Sequence, residues 1–265
     1  MIMFQDVTEL TNFYASPLGK ITARLIRNQI RTLWPSVKNM DVVGLGYAPP
    51  FLEPFRDEAD HTIAIMPALQ GIMRWPRHKD HSKDQYGRYK GNLSSLGRET
   101  DLPLKEGSID RIVLVHCLEH TDHSKQMLRE VWRSLAPGGR VLIIVPSRLG
   151  PWCRSEATPF GHGKPFSSNQ IKKMLAKNML SPTRWTSALF LPPFKSRTMI
   201  TALASLETTG RRWWSQFAGV LIIEAEKQIY AATPTDKNKK IVAKPVIVGS
   251  QMSGLKNRLP PGKNI

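Results

Sequence analysis

Asp41-Val42-Val43-Gly44-Leu45-Gly46-Tyr47-Ala48-Pro49-Pro50 is the stretch on which the reading of this chain turns. A short apolar run that ends in glycines is the pattern of a buried parallel strand feeding a tight turn. Glycine allows close approach of a ligand to the backbone, and the start of a following helix favours negative charge. Pro49 and Pro50 have no backbone N–H, so neither can donate to an anion at that turn.

The neighbouring segments repeat the logic of alternating strand and helix. His61 to Met66 is a second apolar run, stopped by Pro67. Residues 109–115 read as a strand and 122–135 as a helix, with Asp122 as its N-cap and Met127, Leu128, Val131, Trp132 and Leu135 on one face. The turn Pro137-Gly138-Gly139 then leads into a strand over 140–145. Two strands joined in this way are parallel, with a right-handed crossover. Further along, 167–177 reads as a helix capped by Ser167 or Ser168, 183–190 as a strand, 199–208 as a helix and 218–225 as the last strand. Upstream, Ser16-Pro17 opens a helix whose apolar side is Leu18, Ile21, Leu25 and Leu33, and whose opposite side is Lys20, Arg24, Arg27 and Arg31.

Charge adds a second line of inference. The 265 residues carry 38 Lys and Arg against 21 Asp and Glu, a formal charge of +17. A field of that sign attracts polyanions, so RNA or another polyanion is a possible partner. Two regions hold part of the excess. Residues 71–98 contain seven Lys or Arg against two Asp, with Trp75, Tyr86 and Tyr89 interleaved. Residues 231–265 contain seven Lys or Arg and one Asp among Pro, Gly, Asn and Ser, the composition of a disordered basic tail. No apolar run is long enough to span a membrane, no secretory leader is legible, and two cysteines, Cys117 and Cys153, make no disulfide framework. A reducing cytoplasm is the expected compartment.

Several phrases occur in a telling order: Leu102-Pro103-Leu104-Lys105-Glu106-Gly107-Ser108-Ile109-Asp110, then Leu118-Glu119-His120, then Leu135-Ala136-Pro137-Gly138-Gly139, and finally His162-Gly163-Lys164-Pro165-Phe166-Ser167. Together with the glycine turn they resemble the type 11 group of the class I S-adenosylmethionine-dependent methyltransferase superfamily. The resemblance implies an α/β fold, a doubly wound Rossmann-like sheet, mostly parallel with an antiparallel C-terminal strand, to which an N-terminal helix is added. The implied organisation is a helical extension over 1–36, a methyltransferase-like domain over 37–230 and the basic tail over 231–265. It also implies S-adenosylmethionine as cofactor and methyl transfer to an acceptor that the motifs do not identify.

The family's loop, V-L-D-L-G-C-G-T-G, lays its acid on Gly44 and its three glycines on Gly46, Ala48 and Pro50, so this copy is degenerate. The carboxylate that binds the ribose hydroxyls falls on Met66-Pro67, and the adenine contacts fall on Glu99, Thr100 and Asp101. The implied cofactor-binding set is Gly44, Gly46, Tyr47, Ala48, Met66, Glu99, Thr100 and His116. Candidates for the acceptor side are Tyr14, His120, Arg148, Trp152 and His162. His116 and Glu119 either line the cofactor edge or steady the turn. Three functions follow: a methyltransferase with altered cofactor contacts, a non-catalytic scaffold that kept the fold, or an RNA-binding module using residues 20–31, 71–98 and the tail.

His116-Cys117-Leu118-Glu119-His120 also spells the inverted zinc-peptidase motif H-x-x-E-H. That motif needs both histidines on one helical face. His116 ends an apolar strand, so no metal site is expected from the spacing.

Overall fold

The computed structural model describes residues 5–76, 91–193 and 217–229. Its centre is a seven-stranded sheet built from β1 (Asp41–Gly46), β2 (His61–Pro67), β3 (Ser94–Gly97), β4 (Ile109–Val115), β5 (Leu135–Pro146), β6 (Leu180–Ala188) and β7 (Val220–Lys227). The strand order is β3-β2-β1-β4-β5-β7-β6. Strands β1 to β5 pair in parallel, and β7 runs antiparallel to both β5 and β6. The order reverses at β1 and β4, and in open α/β sheets the ligand crevice lies outside the carboxyl ends of such strands.

Helices cover both faces. Helices α1 (Val7–Ala15), α2 (Pro17–Leu33) and α3 (Pro49–Leu52) supply one layer, while α4 (Ser124–Ser134) and α5 (Ser168–Lys177) supply the other. Successive residues of a strand point to opposite faces. Val42 accordingly packs with Ile26 and Phe51, whereas Val43 packs with Met127 and Val131. Both faces of the central strands are therefore buried, which is why they read as continuous apolar runs.

Local chemistry explains the boundaries. Ser16 caps α2 by accepting from the Gly19 N–H, and Pro17 occupies its first turn. Helix α5 begins with a capping box between Ser167 and Gln170. Asp122, expected as the cap of α4, instead pairs with Lys164 at 3.1 Å, and His123 holds the cap position. The strand expected from 140 already starts at Leu135, which pairs with Ile109 before a bulge restores the register at Arg111 and Arg140. The expected helix over 199–208 and the tail over 231–265 lie outside the described residues.

One buried charge ties the far edge of the sheet to the N-terminal layer. Glu224 on β7 is fully buried and accepts from the Trp34 indole at 2.8 Å, Thr183 at 2.7 Å and Arg184 at 2.7 Å. Arg184 also donates to the carbonyl of Leu33, the last residue of α2. Burial pushes the Glu224 carboxyl up, yet these donors outweigh it and hold the group down to about 2.

Candidate active site

The turn after β1 is shaped by one glycine. Gly46 has φ +88°, and a Cβ there would overlap the carbonyl oxygen of Val115 on β4, so only glycine brings β1 and β4 this close at their ends. A Cβ at Gly44 would overlap the Ala48 methyl and a Leu52 methyl, so the space of a side chain at that position is already occupied by α3. The amides that follow are engaged within the protein. Tyr47 donates to Val115 O at 3.0 Å, Ala48 to Gly46 O at 2.9 Å, and Phe51 and Leu52 both donate to Ala48 O.

Above this turn lies a stack of rings. Tyr14, at the end of α1, stacks on Tyr47 with ring centres 5.6 Å apart and meets Phe51 edge-on at 5.5 Å. Its hydroxyl lies 2.7 Å from Nε2 of His116. Burial raises the Tyr14 phenol well above its ordinary value, so it stays protonated. His116 sits just past β4 with φ +50°, a conformation costly for a residue with a Cβ. Gln70, following β2, donates its side-chain amide to the His116 carbonyl at 2.9 Å and so helps hold that backbone.

Below the imidazole, Nδ1 of His116 faces Oε1 of Glu119 at 3.4 Å, while Oε2 of Glu119 accepts the Cys117 N–H at 3.2 Å. Burial pushes the Glu119 carboxyl up. Contact with His116 and the charge of His120 overcome that, and the net shift is downward. His116, Glu119 and His120 offer donor atoms all within 4.8 Å of one another, and all three are buried. Their convergence comes from the tight turn after β4 and needs no shared helical face.

The remaining candidates are placed as follows. Met66 and Ala48 are wholly buried in the core between β1, β2 and α3. Glu99 and Thr100 sit in the turn closed by the Arg98–Asp101 bridge, with Glu99 accepting from the Thr121 hydroxyl at 3.3 Å. Trp152 is fully buried, donates to Leu191 O and packs edge-on against Phe160, which in turn lies 4.8 Å from the His116 ring. Arg148 is exposed and reaches Pro165 O, and His162 contacts Glu156 O at 3.0 Å. Tyr14, Tyr47, His116 and His120 thus belong to one end of the sheet, with Glu99 linked to it through Thr121.

A cavity of about 740 Å³ opens beside the ring stack, lined by Tyr14, Lys20, Arg27, Tyr47, Pro49 and Trp75 among others. The Trp75 indole donates to Oε2 of Glu53, which also borders the cavity. Sequence reading singled out the cations of α2 and the aromatic residues of 71–98 separately. It did not place Lys20, Arg27 and Trp75 across one opening, and it passed over Gln70, whose only outward signal is a polar residue between Leu69 and Gly71.

A family model described as a methyltransferase domain matches residues 69–143. Among curated proteins, a probable S-adenosylmethionine-dependent methyltransferase of Mycolicibacterium smegmatis is 30% identical over 81 residues, which cover 30% of this chain and 31% of that protein. The chain spans less than a third of the length of the curated relatives it matches, 17% of one and 31% of the other. A solved S-adenosylmethionine-dependent methyltransferase of Thermotoga maritima, described as a possible histamine N-methyltransferase, superposes with a TM-score of 0.57 at 16% identity over 84% of this chain and 96% of that one. Geranyl diphosphate C-methyltransferase of Streptomyces coelicolor, solved with Mg²⁺, geranyl-S-thiolodiphosphate and S-adenosyl-L-homocysteine, superposes with a TM-score of 0.51 at 16% identity over 72% of this chain and 71% of that one. These superpositions are likenesses of fold. The sheet order and the superpositions give this chain the fold of the solved S-adenosylmethionine-dependent methyltransferases, and the sequence over residues 69–143 matches a methyltransferase domain.

Proposed function

We propose that the protein is an S-adenosylmethionine-dependent methyltransferase whose cofactor site lies over the turn between β1 and α3. The observation that carries this reading is the Gly46 turn, clamped against Val115 at the carboxyl ends of the central strands and opening onto a cavity of about 740 Å³. A cavity of that size falls within the range of small-molecule sites, roughly 300–1,000 Å³.

The fit of S-adenosylmethionine is through side chains and cavity walls. The turn's amides are engaged internally, and no carboxylate ends β2, where Met66 is buried in the core. Tyr47 and Pro49 wall the opening and Glu53 is the acid that borders it, while Glu99 and Thr100, outside the cavity lining, offer polar groups for an adenine edge. When bound, the cofactor supplies an activated methyl group, so the protein's task is to orient the acceptor and exclude water. Tyr14 and Tyr47 exclude water from the His116 edge. Glu119 orients the imidazole, whose Nε2 faces the Tyr14 hydroxyl.

The test is calorimetry and thermal unfolding with S-adenosylmethionine and S-adenosylhomocysteine. Binding is the expected result, with stabilisation of about 2.7 kcal/mol at roughly 100 times the Kd. The competing reading is a methyltransferase fold that serves as a scaffold, favoured by the internally spent amides and the ring stack over the turn. Absence of heat and of any thermal shift with either ligand would establish that alternative.

A further inference from the structure

The cations that line the cavity are not matched by its acids. Lys20 and Arg27 lie seven residues apart on α2, about two helical turns, and so face the same side. Ala23 between them is buried and small, which leaves the space open. Arg31, next along this side of α2, pairs with Glu58 at 2.5 Å, and Arg56, the third cation of the cavity lining, lies 3.7 Å from both Glu53 and Asp57. Among the described residues no carboxylate lies within salt-bridge distance of Lys20 or Arg27. Glu53, the acid that borders the cavity, is already engaged by the Trp75 indole and by Arg56.

Apart from Glu53, Arg56 and the aromatic rings, the other walls are apolar, including Ala15, Pro49, Pro50 and Met73. The turn itself offers no amide to an anion, because Tyr47, Ala48, Phe51 and Leu52 donate internally and two prolines stand between them. An open concavity with partly apolar walls and two cations that lack a carboxylate partner among the described residues attracts a negative group attached to an apolar body.

We propose that Lys20 and Arg27 form an anion clamp that holds a carboxylate or phosphate in this cavity, replacing the donors the turn has lost. Two sources carry that chemistry: the amino-acid carboxylate of the cofactor, in which case the clamp rests on the methyltransferase reading above, or a phosphate carried by the acceptor.

The full chain is titrated calorimetrically with S-adenosylhomocysteine, with 5′-methylthioadenosine, which lacks the amino-acid carboxylate, and with inorganic pyrophosphate. Lys20→Ala, Arg27→Ala and the double variant are compared with Arg24→Ala, an exposed cation of the same helix outside the cavity lining. A carboxylate clamp gives about 10- to 100-fold weaker binding of S-adenosylhomocysteine in the double variant, with 5′-methylthioadenosine unchanged. A phosphate clamp gives the same loss for pyrophosphate alone. In either case Arg24→Ala binds as the parent does. Equal losses in Arg24→Ala, or no loss for either anion, overturn the clamp. A parent protein that binds neither nucleoside defeats the methyltransferase reading separately, and the pyrophosphate titration then still decides the clamp. Unfolding midpoints of the unliganded variants, expected to match the parent, separate lost binding from lost fold.

Discussion

The Tyr14 hydroxyl and Nε2 of His116, 102 residues apart in sequence, meet at 2.7 Å where neither side chain is open to water. This contact joins the N-terminal helix to the end of β4, and it completes a chain that continues through Nδ1 of His116 to Glu119. Removing one partner of a buried hydrogen bond leaves the other without compensation, at about 1–3 kcal/mol. Tyr14→Phe keeps the ring stack on Tyr47 and deletes only that bond. Its urea midpoint should fall by a matching amount, with the denaturant slope unchanged. An unchanged midpoint would mean that the contact contributes nothing in solution.

Restoring the family's acid should fail to rebuild its site. The position equivalent to that acid is Gly44, where a Cβ meets the Ala48 methyl and Leu52. Gly44→Asp therefore combines overpacking with a buried charge, and a loss of about 3 kcal/mol or more is expected. Ala48→Gly removes one of the clashing groups, so the double variant should recover part of that loss. A double-mutant cycle on unfolding free energies measures the coupling, and strict additivity would contradict the packing described.

Gly46→Ala tests a different constraint. Here φ is +88° and the added methyl would face backbone, the Val115 carbonyl oxygen, which cannot rotate away as a side chain can. Strain at φ > 0 costs about 1–2 kcal/mol before the clash is counted. The expected outcome is a loss larger than that figure in thermal or urea unfolding, with the edge between β1 and β4 showing the greatest gain in amide exchange.

The legible parts of this fold were those in which composition alone forces a local structure. The reading of 109–115 coincides with β4, Ile109–Val115, because a run buried on both faces must be apolar and is cut by a polar turn. A serine cap at 167 or 168 was legible, and Gln170, three residues past Ser167, makes Ser167 the cap. By contrast, α1 went unread: nine residues give a short pattern, and Asp6, whose carboxylate accepts from Thr8, was not recognised as its cap. Strand β3, Ser94–Gly97, is an edge strand with little apolar content and looked like loop. Asp122 looked like a cap until Lys164, 42 residues later, claimed it. In the candidate site the degenerate turn was visible, since Pro49 and Pro50 stand in plain sequence. The Tyr14 hydroxyl against His116, and Lys20 and Trp75 lining one cavity, are tertiary facts that no local pattern encodes.

Acid should unfold this protein partly through Glu224. The carboxyl titrates at about 2 when folded against an ordinary 4.5, because Arg184, Thr183 and Trp34 donate to its charged form. A depressed folded value means that the unfolded chain binds the proton more tightly. The associated stability is therefore fully present above about pH 4.5 and is lost as pH falls toward about 2. A difference of that size corresponds to roughly 3 kcal/mol. Glu58, held down to about 2 by Arg31 and the Val37 N–H, adds to the same limb from a more exposed position. In Glu224→Gln the decline between about pH 4.5 and pH 2 should be shallower, and stability at neutral pH should already be lower by about 3 kcal/mol, because Arg184 and Arg140 lose their shared partner. Unfolding free energies measured across that pH range decide the matter. An acid limb as steep in the variant as in the parent would place the titrating group elsewhere.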